Sequence, residues 1–173
     1  MRNVVKITSG IYRGRAIATP GDGTHPMGER ERLALFNMLG GLDGLAVLDA
    51  FAGSGALGIE ALSRGAGKVV FVEKNRAACK VILSNLLVLE ASGEVICGDV
   101  AKYEGGDFDV ILADPPYDKF NIETVATLTK SLKNGGVLVL SHPGESPEIP
   151  NLTLSKTRQY ASAHLSFYNK LAF

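Results

Sequence analysis

The chain has no tryptophan, only two cysteines and no net charge, with 18 basic residues against 18 acidic ones. Each of these lacks excludes something. Cys79 and Cys97 form no CxxC pair and have no histidine cluster beside them, so they read as two buried thiols and no metal site is expected. A balanced charge argues against a protein that grips a polyanion with its whole surface. No apolar run approaches the roughly 18 residues that a membrane-spanning helix needs. The opening MRNVVKITSG has no long apolar stretch and no small-residue cleavage site, so no secretory signal is read and a cytoplasmic address is expected.

What is present fits one domain over residues 1–173, with 1–24 as a hairpin extension and 25–173 as the core. A chain of 173 residues can bury about two-thirds of its unfolded surface without a staple. A monomer is expected. The charge is unevenly spread: Arg2, Lys6, Arg13 and Arg15 fall before Gly21 with no acidic residue among them. Any contact with a polyanion would be local and N-terminal.

Hydropathy sets the order of elements. VVKITSG and YRGRAIAT read as two short strands around a glycine turn, followed by a Gly/Pro-rich loop. Leu33, Phe36 and Leu39 beside Arg30 and Arg32 predict a short amphipathic helix from Glu29 to Leu39. Apolar strands then alternate with helices. LAVLDAF, KVVFVE, EVICGD and DFDVILAD end at Asp49, Glu73, Asp99 and Asp114, and GGVLVLSH is a fifth strand. Helices are expected at GALGIEALSRG, from Asn75 to Glu90 and from Asn121 to Leu132. LTLSKTRQY and AHLSFYNKLAF alternate as an antiparallel pair would. This pattern predicts a doubly wound α/β fold with a mixed seven-stranded sheet. Ligands of such sheets bind beyond the carboxyl ends of the strands. Four acidic residues at four successive strand ends gain nothing from packing and repel one another.

The segment from Asp49 to Gly58 follows a strand and opens a helix. Gly53, Gly55 and Gly58 spell GxGxxG, with Glu73 about 20 residues on, which is also the dinucleotide fingerprint. Two carboxylates favour a different nucleoside. Asp49 would repel a pyrophosphate and attract a sulfonium or an ammonium group. Asp99 is placed to accept an adenine amino group. Adenosine hydroxyls at Glu73, adenine at Asp99 and a methionine part near Asp49 and Gly53 to Gly55 describe S-adenosylmethionine.

Asp114-Pro115-Pro116-Tyr117 ends the fourth strand. Two prolines stiffen the loop and leave two positions without N–H donors. Carbonyls and a carboxylate therefore dominate its rim, which suits an amino group as substrate. The amine of a nucleobase is a poor nucleophile because its lone pair is conjugated with the ring. Acceptors at Asp114 and the Pro115 carbonyl can hold its N–H bonds and turn the lone pair toward a methyl donor. Tyr117 offers a flat face for an extracted base, and Phe120 reads equally as an extension of that face or as a core residue. These four residues do not separate guanine N2 from adenine N6, in RNA or in DNA.

The sequence resembles the bacterial methyltransferases that modify guanine N2 in 16S ribosomal RNA, the RsmD-like family. The resemblance runs through SGIYRGRAIATP, ERLALFNML, LDAFAGSGALGIEALSRGA, VVFVEKN, Gly98-Asp99, DPPY and LSFYNK. It implies a class I, Rossmann-like methyltransferase fold with strand order 3-2-1-4-5-7-6, and rRNA in an assembling small subunit as the partner. By position it assigns Asp49, Gly53, Gly55, Glu73 and Asp99 to S-adenosylmethionine, with Ala50, Ser54, Lys74, Val100 and Asp114 in the same site. Asp114 to Tyr117 would hold the guanine, and Arg2, Lys6, Arg13 and Arg15 are the candidate RNA contacts. The chain departs from the family before the first helix. The usual arginine is His25, and a threonine pair is Met27-Gly28.

Overall fold

The computed structural model describes residues 4–21, 26–160 and 163–172. Arg2 and His25 lie outside the described residues. Strands β1 (Val4–Lys6) and β2 (Ala16–Ala18) pair antiparallel as a separate two-stranded sheet. Both are shorter than their apolar patterns suggest. Gly10 lies in the turn between them, with φ +82°. A Cβ there would come within 1.8 Å of the Ser63 carbonyl oxygen, so only glycine lets the turn lie against helix α2.

The main sheet holds β3 (Ala46–Asp49), β4 (Lys68–Glu73), β5 (Glu94–Cys97), β6 (Phe108–Ala113), β7 (Leu132–His142), β8 (Leu152–Gln159) and β9 (His164–Lys170). Their order is β5-β4-β3-β6-β7-β9-β8. Counted within the main sheet, this is the expected 3-2-1-4-5-7-6. The first five strands are parallel, and β9 enters antiparallel between β7 and β8.

Helices cover both faces. The helices α1 (Glu29–Leu39), α2 (Ala56–Ser63) and α3 (Arg76–Leu89) pack on one face, with α4 (Ile122–Leu128) on the other. Alternation along each strand feeds the two cores. Val47, Phe71, Val110 and Leu112 point one way, while Leu48, Val70, Ile111 and Ala113 point the other. The Asn75 side chain accepts the Ala78 N–H and so starts α3 where the sequence places it.

Three expectations need correction. The helical stretch near residue 121 ends early: β7 already begins at Leu132, and a register shift between Phe108 and Val110 absorbs the extra length. The inner face of α1 is Arg32, Leu35 and Phe36, while Leu33 is exposed. Periodicity puts leucine inside, but a buried ion pair overrides it, as shown below. Cys79 and Cys97 are not two separate buried thiols. Cys97 is exposed, and the two are joined as a disulfide between α3 and β5, with Cα atoms 6.0 Å apart.

Candidate active site

The turn after β3 is held from both sides by its neighbouring strands. Ala50 N–H donates to the Leu112 carbonyl at 2.9 Å, and Ala52 N–H donates to that of Val72 at 3.1 Å. Gly53 and Gly55 have φ of +55° and +82°, where a side chain would be strained. Gly58 serves packing: a Cβ there would meet the Phe71 ring at 2.3 Å. The three glycines thus turn the chain, expose its backbone and seat α2 on β4.

Asp49 is 1% exposed. Its Oδ2 accepts the Gly58 N–H at 2.9 Å, while Oδ1 is buried and has no hydrogen-bond partner among the described residues. Burial pushes its carboxyl up to about 7. The Gly58 N–H opposes that rise, and the charges of Asp114 and Glu73 add to it. An orphaned buried acceptor is costly, and it suits a cationic group placed against it. The turn therefore fits a sulfonium or an ammonium group.

The adjacent strand ends carry the other acidic residues. Glu73 accepts the Gly53 N–H at 2.8 Å and the Asn75 N–H at 2.9 Å, so its carboxylate ties the turn to the start of α3. Lys74 beside it is exposed. Asp99 uses Oδ1 to accept the Ala101 N–H at 2.9 Å, and buried Val100 anchors the short 3-10 turn that follows. Cys97 pairs with Glu73 across the sheet. The disulfide therefore ties the first turn of α3, which follows Glu73, to the end of β5, which precedes Asp99. Buried Ser54 is held through Asn85 of α3, whose amide donates to the Ser54 carbonyl at 3.1 Å and to the Ala18 carbonyl at 2.9 Å.

Asp114, Pro115, Pro116 and Tyr117 follow β6, beside the Asp49 turn. Burial pushes the Asp114 carboxyl up to about 6. A hydrogen bond from Ser141 opposes that shift, and the charge of Glu31 adds to it. Burial also raises the Tyr117 hydroxyl, which shares a hydrogen bond with Ser141. Ser141 of β7 thus fixes both the acid and the ring. Two further groups near this rim, Ser141 and Glu31, carry no motif that would single them out in the sequence.

The N-terminal basic residues do not gather on one spot. Lys6 and Arg13 line a groove of about 300 Å³ together with Arg30 and Glu29 of α1. Arg15 reaches the other way and donates to the Val88 carbonyl near the end of α3 at 3.2 Å. The hairpin is anchored by Glu60, which is fully buried in α2. Its carboxylate accepts the Thr8 and Ser9 N–H groups at 3.1 Å and pairs with Arg32 Nε at 3.2 Å. Arg32 also donates to the Met27 carbonyl at 3.0 Å and to that of Lys6. A charged residue inside the apolar run ALGIEALS was the one sequence signal for this junction.

Comparison with known proteins agrees with this geometry. A model of the family described as Conserved hypothetical protein 95 matches residues 5–169. Ribosomal RNA small subunit methyltransferase D of Haemophilus influenzae is 33% identical over 172 residues, covering 89% of this chain and 88% of that protein. The chain belongs to this methyltransferase family. Another member, the Bacillus subtilis protein named "Putative rRNA methyltransferase YlbH", is 34% identical over 183 residues and covers 96% of this chain and 99% of its own length. Among solved structures, "Putative methyltransferase yhhF" of Escherichia coli superposes with a TM-score of 0.89 at 29% identity, covering 99% of this chain and 100% of the other. The family match includes β1, β2 and the basic groove as well as the sheet. The family is one of methyltransferases, which agrees with reading the GxGxxG turn as that of a methyl-donor site.

Proposed function

We propose that the protein transfers a methyl group from S-adenosylmethionine to the exocyclic N2 of a guanine in 16S rRNA, presented by an assembling small ribosomal subunit. The observation that carries this reading is the pair of carboxylates on adjacent strands: Asp49 with an unpartnered buried oxygen, and Asp114 opening a loop that lacks two N–H donors. One suits a cation and the other an amine.

S-adenosylmethionine would supply an electrophilic methyl on a sulfonium. The residues that would hold it are Asp49, Ala50, Gly53, Ser54 and Gly55 on the first turn, Glu73 and Lys74 at the second strand end, and Asp99 and Val100 at the third. Asp114 and the Pro115 carbonyl hold the two N–H bonds of the amine and aim its lone pair. Pro116 keeps the loop extended, and the Tyr117 ring, fixed by Ser141, stacks on the base. The positive charge that grows on nitrogen is stabilised by these acceptors. Asp114, raised to about 6, is ionised at neutral pH and close enough to neutrality to take the proton. Lys6, Arg13 and Arg30 would meet the RNA backbone at the groove, with Arg2 and Arg15 as flanking contacts. The reading takes 1–173 as one methyltransferase domain with its hairpin extension, acting as a cytoplasmic monomer. No helix among the described residues is long and apolar enough to cross a membrane.

The test is methylation of small-subunit rRNA from a strain lacking the gene, followed by nucleoside mass spectrometry. Wild type should restore N2-methylguanosine. Asp114→Asn should lower the rate by about 100- to 1,000-fold, the effect of losing one preorganised contact. Restoration of N6-methyladenosine alone would overturn the assignment to guanine.

A further inference from the structure

The two cysteines take no part in the proposed reaction, yet both lie against its cofactor side. Cys97 is the last residue of β5 and is exposed. Cys79, in the first turn of α3, is 5% exposed. Their Cα atoms are 6.0 Å apart, within the span that a disulfide bridges. The Glu73 carbonyl oxygen touches both segments. It accepts the Gly98 N–H at 2.9 Å, and Cys79 Sγ is 3.1 Å from it. As a thiol, Cys79 can donate to that oxygen; as half of a disulfide it has no hydrogen to give. Both states fit one backbone, so the bond can form and break without moving α3 off β5.

The bridge ties a place where the sheet lets go. The β4–β5 register ends with Glu73 opposite Cys97. Beyond it, the backbone link between the two strand ends is the Gly98 N–H to the Glu73 carbonyl. The carboxylates themselves face their own loops. Glu73 accepts the Gly53 and Asn75 N–H groups, and Asp99 accepts that of Ala101. In the proposed site, Glu73 takes the ribose hydroxyls and Asp99 the adenine amino group. Their spacing is then the width of the adenosine cradle, and the disulfide is a covalent tie across it, two residues from Asp99 and six from Glu73.

A disulfide in a reducing compartment is a transient state, set by the supply of oxidant. The exposed Cys97 thiol is the one that a hydroperoxide reaches. We propose that Cys79 and Cys97 are a reversible oxidation site that tightens the adenosine end of the cofactor site when bridged. The inference rests on the proposed S-adenosylmethionine site and adds its regulation. The Cys97 thiolate attacks one peroxide oxygen, the O–O bond breaks and hydroxide leaves, giving a sulfenic acid. The Cys79 sulfur then attacks the Cys97 sulfur, and the sulfenic oxygen leaves as water with the thiol proton. Two thiols and one hydrogen peroxide thus give one disulfide and two waters. A dithiol reverses the step by exchange and becomes a disulfide itself. In the bridged form the two strand ends are set at their spacing before the ligand arrives, whereas the open form has to order them on binding. By linkage, the ligand favours the bridge by the same factor as the bridge favours the ligand.

The test is calorimetric binding of S-adenosylhomocysteine to the full chain, treated with hydrogen peroxide or with dithiothreitol and then desalted. Mass spectrometry of proteolytic fragments should find Cys79 joined to Cys97 after peroxide and free after dithiothreitol. The bridged form should bind about 3- to 10-fold more tightly, the gain from ordering one or two contacts in advance. At a fixed ratio of reduced to oxidised dithiothreitol, saturating S-adenosylhomocysteine should raise the ratio of bridged to open protein by that same factor. Cys97→Ser, at an exposed position, should bind as the reduced wild type does, with or without peroxide. Failure of the bridge to form overturns the inference. So does a peroxide effect that persists in Cys97→Ser, which would assign it to methionine oxidation. Equal or weaker binding by the bridged form also overturns the inference, and leaves the proposed cofactor site standing. Binding by neither form overturns both.

Discussion

Among the described residues two carboxylates are almost completely buried, and they are buried differently. Glu60, at 0% exposure, lies between the hairpin, α1 and α2, where it accepts from two backbone N–H groups and pairs with Arg32. Asp49, at 1% exposure, lies beneath the glycine turn, where one oxygen has a single N–H partner and the other has none. Burying a charge is tolerable only when it is paired and fully bonded. Glu60 meets that condition within the chain. Asp49 does not: among the described residues its Oδ1 has no partner. Exposure alone would class the two together. The count of satisfied oxygens separates a group fully bonded within the fold from one left open, and the proposed cofactor role of Asp49 rests on that difference.

The sharpest way to break this comparison is to remove one charge from each region. Glu60→Gln leaves Arg32 buried without its counter-ion. We expect a loss of about 3–5 kcal/mol, the usual cost of breaking a buried pair from one side, read by denaturant unfolding. A loss below about 1 kcal/mol would mean that Glu60 is no more needed than a surface pair. Asp49→Asn should act in the opposite direction on the ligand-free protein, because it removes an unsatisfied charge. Both Asp49 and Asp114 have carboxyls raised in the folded state, to about 7 and about 6. The folded protein therefore binds more protons than the unfolded chain between about pH 4 and 7. Their stabilising contribution is complete below that window and is lost as pH rises through it. The melting temperature of the ligand-free wild type should fall from pH 5 to pH 8, and Asp49→Asn should flatten that fall.

The same pair shows how far the sequence could be read. The succession of strands and helices, the helix from Glu29 to Leu39 and the four acidic strand ends followed from local signals, apolar runs, glycine turns and caps, whereas the order of strands in the sheet came from the family resemblance. The local features were legible because each depends on residues near one another in the chain. The Glu60–Arg32 junction was not, since its partners are 28 residues apart and the helix pattern ranks Leu33 as the inner residue. Ser141 was equally hidden. It faces the loop from Asp114 to Tyr117 only because β7 pairs with β6 in a register that places Leu140 opposite Ala113. The disulfide partners were visible as residues, but their meeting depends on how α3 packs on β5.

A smaller effect sharpens the reading of Asp49 as a ligand partner. S-adenosylmethionine carries positive charge, so its binding should favour the ionised carboxylate and release a proton below about pH 7. Affinity should rise roughly tenfold per pH step of one at its steepest, as binding linked to the loss of a single proton does, and level off once the carboxyl is ionised in the free protein. Calorimetry in buffers with different ionisation heats reads the proton directly. Binding that is flat from pH 6 to pH 8 in wild type would show that Asp49 does not meet the cation. Asp49→Asn should abolish the proton release and weaken binding at pH 8.

The smallest expected effect lies on the hairpin, where two arginines two residues apart face different neighbours. Arg13 opens on the groove with Lys6 and Arg30, and Arg15 is engaged by the Val88 carbonyl. A side chain that neutralises one phosphate releases about one counterion, so its removal lowers the salt dependence of RNA binding by close to one unit of slope. Arg13→Ala should do this and weaken binding at low salt, with methylation at saturating RNA unchanged. Arg15→Ala should change the slope less, because its guanidinium is already spent on the end of α3, a helix terminus that attracts cations by its dipole. Its loss should appear instead as a few tenths of a kcal/mol in stability. Equal slopes for the two variants would put both arginines on one RNA-facing surface and dissolve the distinction. A change for Arg15 alone would move the contact from the groove to the α3 side of the hairpin.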